Sequence, residues 1–232
     1  MVAPRNRTPT RLPRGKHGLS PQYVASNQRE RLLTATVTVV GEKGYAEATV
    51  ADILERSGVS RKTFYDLFTN KEDCFLVAYE QLIDNLANAA ADASGQSGSW
   101  PERMRLGLKA VLDLIADQPA AARVGLVEVL AAGPRALERY DHAVRRFIPL
   151  FEQGRSESPY GEQLPSNISE AVLGGIAQVL YLRVLAGETA TLPDALDELL
   201  YFALVPYLGH AGTTRIATAR RASEATRQRD RQ

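Results

Sequence analysis

An all-α fold is predicted for this 232-residue chain. Polar caps recur ahead of amphipathic segments: Thr49 with Asp52, Ser60, and Asn70 with Asp73. Apolar residues return at helical spacing, and Pro101, Pro119 and Pro134 stand where a helix start tolerates a missing N–H. No segment joins strand alternation to a hairpin turn.

The first helix starts at Ser20, with Pro21 at its first position, or at Ser26, and runs to Lys43 before Gly44. Leu33, Val37 and Val40 form its apolar stripe. The β-branched run at 36–40 could suggest a strand, but the spacing and the caps favour helix. Thr49 caps the second helix, Asp52 completes a capping box, and Ile53 and Leu54 supply the apolar face. Gly58 suits the left-handed residue that ends a helix. Ser60 caps a third helix over 61–68. Asn70 caps a fourth over 71–93, with Phe75, Ala78, Leu82 and Leu86 on one face.

Beyond the Gly/Ser loop at 95–99, helices are expected over 101–117, 119–132 and 134–153. A Gly/Ser/Pro-rich loop over 154–166 precedes a helix from 166 or 167 to 187, and a last helix covers 193–208. Gly209 and Gly212 are expected to end the fold.

A helix, a short turn with Gly and a short basic helix is the DNA-reading helix-turn-helix plan. In the basic helix Phe64, Leu67 and Phe68 can face a core. Arg61, Lys62, Thr63 and Tyr65 are left on other faces, near the N-terminal end that favours phosphate. Arg and Lys can reach guanine edges and Thr a base edge, while Tyr65 offers a hydroxyl to a backbone oxygen.

In combination, residues 27–78 resemble the DNA-binding domain of the TetR/AcrR transcriptional regulators. The resemblance rests on Gly44-Tyr45, Thr49 to Ile53, Gly58-Val59-Ser60, Thr63-Phe64-Tyr65, Phe68 and Lys71-Glu72. It implies that Thr49, Ser60, Tyr65 and Lys71 clamp phosphates while Arg61, Lys62 and Thr63 face bases. Before Phe68 the family often carries a His or Tyr that can bond phosphate. Here Leu67 stands there, and it is expected in the core.

The formal net charge of +1 hides an asymmetry. Residues 1–31 hold seven basic side chains against Glu30, and residues 213–232 hold six Arg against Glu224 and Asp230. The intervening stretch has 15 basic against 24 acidic residues. Basic ends on an acidic body suggest a polyanion at the ends, with merely solvated tails as the alternative, favoured for the C-terminal one. The expected organisation is a disordered basic arm over 1–19, a DNA-binding domain over 20–70, an effector-binding and dimerisation domain over 71–212 and a basic tail over 213–232. The arm lacks the apolar run of a secretory signal and can follow phosphates or the minor groove.

The last two helices are apolar nearly all round, so they need cover on several sides. The resemblance implies a homodimer through a four-helix bundle made from these helices. Met104, Glu128, Tyr140, Phe147, Gln178 and Tyr181 are candidates for contact with a small hydrophobic effector, with ordinary packing or pairing as the alternative for each.

No catalytic residues, metal site or cofactor are expected. Cys74 is the single cysteine, and His17, His142 and His210 lack metal spacing. No apolar run of about 18 residues is evident, so no membrane span is expected. The reading is a cytoplasmic, homodimeric transcriptional regulator, a repressor released from a double-stranded DNA operator by its ligand. The alternatives are a constitutive DNA-binding regulator without an effector and, remotely, an enzyme in the helical body.

Overall fold

A computed structural model describes the backbone of residues 20–95 and 98–229, with side chains through 216. The basic arm over 1–19 and the tail arginines beyond 216 lie outside the described residues and side chains. Every regular element described is helical, as the caps and spacing predict.

Helix α1 spans Pro21–Lys43, and Ser20 is its cap: the Ser20 hydroxyl accepts the Tyr23 N–H at 3.2 Å. Leu32, Leu33, Thr36, Val39 and Val40 are buried, so the inward stripe is broader than predicted and Val37 sits at its margin. Helices α2 (Val50–Ser57), α3 (Arg61–Leu67) and α4 (Lys71–Ser94) follow. They close a core around Ile53, Phe64, Phe68, Phe75 and Tyr79. Val124, Val129, Ala136 and Ala143 from later in the chain join that same core. The N-terminal unit is therefore seated on the body rather than hung from a linker.

The body comprises α5 (Trp100–Asp117), α6 (Pro119–Arg123), α7 (Val129–Ala131), α8 (Pro134–Arg145), α9 (Ile148–Glu157), α10 (Ile168–Leu185) and α11 (Leu196–Arg229). Trp100, Leu112, Phe151, Leu192, Leu204 and Tyr207 anchor a second core. Trp100 packs on Tyr207 and donates to the Leu150 carbonyl at 2.7 Å, so it belongs to packing.

Several predicted boundaries are corrected. The helix expected over 119–132 contains a π-helical turn at Val124–Glu128, an extra residue that re-aims the side chains after it. The helix expected over 134–153 breaks after Arg145, and α9 restarts with Pro149 in its first turn, where no N–H is needed. The loop expected from 154 begins only after Glu157 and includes a 3-10 turn at Gly161–Gln163. The last helix is preceded by a 3-10 segment, Thr189–Ala195. Gly209 (φ 68°, ψ 166°) kinks α11 without ending it, and helix resumes as far as Arg229.

Among the described residues one helix, α10, is apolar and long enough by composition to cross a membrane, with mean hydropathy 1.4 over Ile168–Leu185. The stretch is not an unbroken apolar run, since Ser169, Glu170, Gln178 and Arg183 interrupt it. Its Val172, Ile176, Leu180 and Val184 are buried in the second core, as in the central helix of a globular body.

At one crossing a side chain is excluded. A Cβ added to Gly41 of α1 would lie 2.6 Å from the carbonyl oxygen of Ala120 in α6. Two backbones meet there, so the N-terminal unit and the body are in close contact.

Candidate nucleic-acid interface and ligand cavity

The helix-turn-helix is built from local capping. The Thr49 hydroxyl accepts the Asp52 N–H at 3.2 Å, and the Asp52 carboxylate accepts the Thr49 N–H at 2.9 Å. This is the predicted capping box. Lys43 adds an ion pair to Asp52 at 2.6 Å. The Lys43 hydrogen bond, followed by those from Thr49, holds the Asp52 carboxyl at about 2. Gly58 is left-handed (φ 62°, ψ 24°) and ends α2. The Ser60 hydroxyl then accepts the Thr63 N–H at 3.1 Å, which starts α3.

Helix α3 is held from below and open above. Phe64 is fully buried and packs against Phe68, while Leu67 lies against the same core, as expected for it. Phe68 closes the helix as its cap residue. Arg61, Lys62 and Tyr65 are exposed. The Arg61 guanidinium lies 5.9 Å from the Tyr65 ring centroid. Lys62 reaches Asp66 at 3.0 Å, yet its side chain stays 86% exposed, so the pair is weak and the ammonium remains available to another anion. Thr63 is half-buried, and its hydroxyl meets Ser60 Oγ at 2.9 Å.

Lys71 departs from the expectation. Its ammonium turns inward and donates to the carbonyls of Tyr45 at 2.7 Å and Ala48 at 2.9 Å. It also sits 4.2 Å from the Tyr45 ring centroid. Burial lowers its pKa. The expected phosphate clamp is here a strap from the start of α4 to the turn before α2. Asn70 caps α4 as predicted, accepting the Asp73 N–H at 2.9 Å.

Between α4, α5, α6, α8, α9 and α10 lies an apolar cavity of about 140 Å³. Leu86, Leu108, Val111, Phe147, Leu173 and Ile176 are among its walls. Met104 and Tyr140 line it too. Glu128, Gln178 and Tyr181 do not, which corrects the expectation for those three. Helical period explains two of them: Leu173, Ile176, Ala177 and Leu180 point α10 at the cavity, so Gln178 and Tyr181 fall on other faces.

The π turn explains Glu128. Its buried carboxylate accepts the Tyr45 N–H at 2.8 Å and the Arg123 Nε–H at 2.9 Å. It ties the body to the Gly44–Tyr45 turn of the N-terminal unit. Gly125 and Leu126, in the same turn, line the cavity.

Sequence reasoning missed Tyr79. It lines the cavity, is 1% exposed, and its hydroxyl has no hydrogen-bond partner among the described residues. The available signal was its place beside Ala78, one helical step from Phe75 and Ile83 on the inward face of α4.

The family model for bacterial regulatory proteins of the tetR family matches residues 32–78, which span the second half of α1, all of α2 and α3 and the start of α4. This match supports a TetR-family regulator. It is 30% identical over 141 residues to the transcriptional regulator EthR of Mycolicibacterium smegmatis, covering 60% of this chain and 63% of that protein. It is 29% identical over 110 residues to the transcriptional activator FasR of the same organism, covering 47% of this chain and 45% of that one. The matched stretch is thus less than two thirds of either relative's length. The likeness in fold extends further: the transcriptional regulator FadR of Bacillus subtilis, solved with stearoyl-CoA, superposes with TM-score 0.64 at 17% identity, over 77% of this chain and 97% of that one.

Proposed function

We propose that this TetR-family chain is a DNA-binding transcriptional regulator, a homodimeric repressor that leaves its operator when a small apolar molecule fills the cavity. The observation that carries the reading is the division of α3. Phe64 and Phe68 fix the helix to the core, while Arg61, Lys62 and Tyr65 remain exposed at its N-terminal end. In this reading Arg61, Lys62 and Thr63 meet base edges, and Thr49, Ser60 and Tyr65 meet phosphates. Lys71 positions the turn before α2. Residues 20–70 form the reading head, and residues 71–212 serve effector binding and dimerisation. Such a protein works in the cytoplasm, where chromosomal DNA is.

Dimerisation is supported by an apolar face on α10 and α11. Leu182 is 52% exposed, Leu185 49% and Phe202 44%, with Val179 and Tyr201 beside them. Gly175 admits the Phe202 ring, which would lie 2.8 Å from a Cβ there. To read successive major grooves, the two α3 helices of such a dimer must lie about 34–36 Å apart, one turn of the duplex. Release follows from α4, which carries Lys71 under the reading head and Tyr79, Leu82 and Leu86 along the cavity. A ligand that favours one of two α4 positions shifts the population of DNA-competent dimers.

The test is a gel shift on DNA from upstream of the protein's own gene, across a salt series with competitor. Specific binding is expected, and Arg61→Ala should weaken it by about 1–3 kcal/mol and relax sequence preference. Failure to select any sequence from a random pool refutes the reading. A reporter fused to the selected site separates repression from activation.

A further inference from the structure

Two outer grooves share walls with the apolar cavity, and they lie on different faces of α4. The first, of about 260 Å³, runs between α1, α4 and α6, with Thr34, Thr38, Gln81 and Asn85 on its walls. Leu82, Gln118 and Ala121 line both this groove and the cavity. The second, of about 270 Å³, runs between α4 and α8. Tyr79, Ile83 and Ala143 line both it and the cavity.

The two partitions differ in how firmly they are held. Behind the second groove the shared residues are all buried, Tyr79 at 1% exposure, Ala143 at 6% and Ile83 at 8%. Ion pairs brace that side from outside: Arg139 meets Glu80 at 2.7 Å, and Arg146 meets Asp84. Each such pair is weak in water, but opening there must also displace a close-packed aromatic ring. On the first side Leu82 is partly exposed although it lines the cavity. Glu30 is the single ionisable side chain on the walls of the first groove, so those walls cannot be tied by an ion pair between themselves. Ala120, which α1 touches at Gly41, is also on its wall.

Resting on the reading of this cavity as the effector site, we propose that its mouth is the groove between α1, α4 and α6, and that the Leu82 side chain is the gate. A partly exposed leucine changes rotamer on the picosecond to nanosecond scale and breaks no hydrogen bond in doing so. Passage on this side therefore moves one mobile side chain, whereas passage beside α8 moves buried ones. The mouth stands on the seam between the N-terminal unit and the body, because α1 forms one wall. No residue of α10 or α11 lines it, so it is separate from the proposed dimer face.

Fluorobenzene serves as the probe, since an apolar protein cavity of about 150 Å³ takes benzene and this one has about 140 Å³. Its entry and exit rates on the full chain without DNA are measured by fluorine NMR exchange. Gln81→Trp and Asn85→Trp each fill the first groove from an exposed position that does not line the cavity. Each should slow entry and exit alike by about tenfold and leave affinity within about twofold, because a blocked passage raises the barrier equally in both directions. His142→Trp fills the second groove from an exposed position and should leave both rates unchanged. Leu82→Ala should raise the entry rate. Unchanged rates in both variants of the first groove, slowing in His142→Trp, or no binding of fluorobenzene by the wild type overturns the inference. Release from DNA is scored separately by gel shift. A chain whose exchange slows in the first-groove variants, yet which no cavity-filling probe removes from DNA, keeps the mouth and refutes ligand release.

Discussion

Replacing Glu128 tests how the N-terminal unit is held to the body. The carboxylate is buried and accepts two hydrogen bonds, from the Tyr45 N–H at 2.8 Å and from Arg123 at 2.9 Å. In Glu128→Ala both donors lose their acceptor. Arg123 is 43% exposed and regains water, so that half of the loss is small. The Tyr45 N–H is half-buried beside the Gly44 turn and loses a charge-assisted bond, worth about 1.5–3 kcal/mol. The expected destabilisation is about 2–3 kcal/mol, or about 4–12 °C in the melting midpoint for a chain of this size. Glu128→Gln keeps an acceptor for Tyr45 and should lose about half as much. Thermal and urea unfolding followed by helical ellipticity read the effect. Midpoints for Glu128→Ala within a degree of the wild type would refute the view that this carboxylate joins the two parts.

Lys71→Met should lower stability by about 1–3 kcal/mol, because two carbonyls lose their donor. If urea unfolding is unchanged and only the salt dependence of DNA binding flattens, Lys71 serves phosphate instead of the turn. Gly41→Ala should destabilise by about 1–3 kcal/mol, since the new methyl meets the Ala120 backbone and one helix must shift. Full stability in that variant would show that α1 and α6 are free to separate. Asp52 has a folded-state pKa of about 2, below its ordinary value of 3.8, so its contribution is present above about pH 4 and lost as pH falls through 2. Asp52→Asn should therefore be less stable than the wild type at neutral pH and lose less on acidification. Parallel acid-unfolding curves for the two proteins would count against the Lys43–Asp52–Thr49 cluster.

The helix-turn-helix was legible from sequence because its determinants are local. Thr49, Asp52, Gly58, Ser60 and Asn70 act on N–H groups or backbone angles within a few residues of themselves. The inward set Phe64 and Phe68 follows from helical period, and so does the outward set of Arg61, Lys62 and Tyr65. Boundaries failed where one residue of backbone geometry decided them. The π turn at Val124–Glu128 and the restart at Pro149 leave the apolar pattern nearly unchanged while altering which side chains face inward.

The amino-acid order by itself determined an all-α chain with a capped, basic reading helix, because capping and amphipathic period are short-range effects. Tertiary structure alone decided the use of three polar side chains. Glu128 lies 83 residues from Tyr45, Lys71 lies 26 from it, and the Tyr79 hydroxyl is isolated by helices distant in sequence. A carboxylate, an ammonium and a phenol carry no mark of their partners. Whether each bonds backbone, solvent or ligand depends on which remote atoms packing brings within about 3 Å.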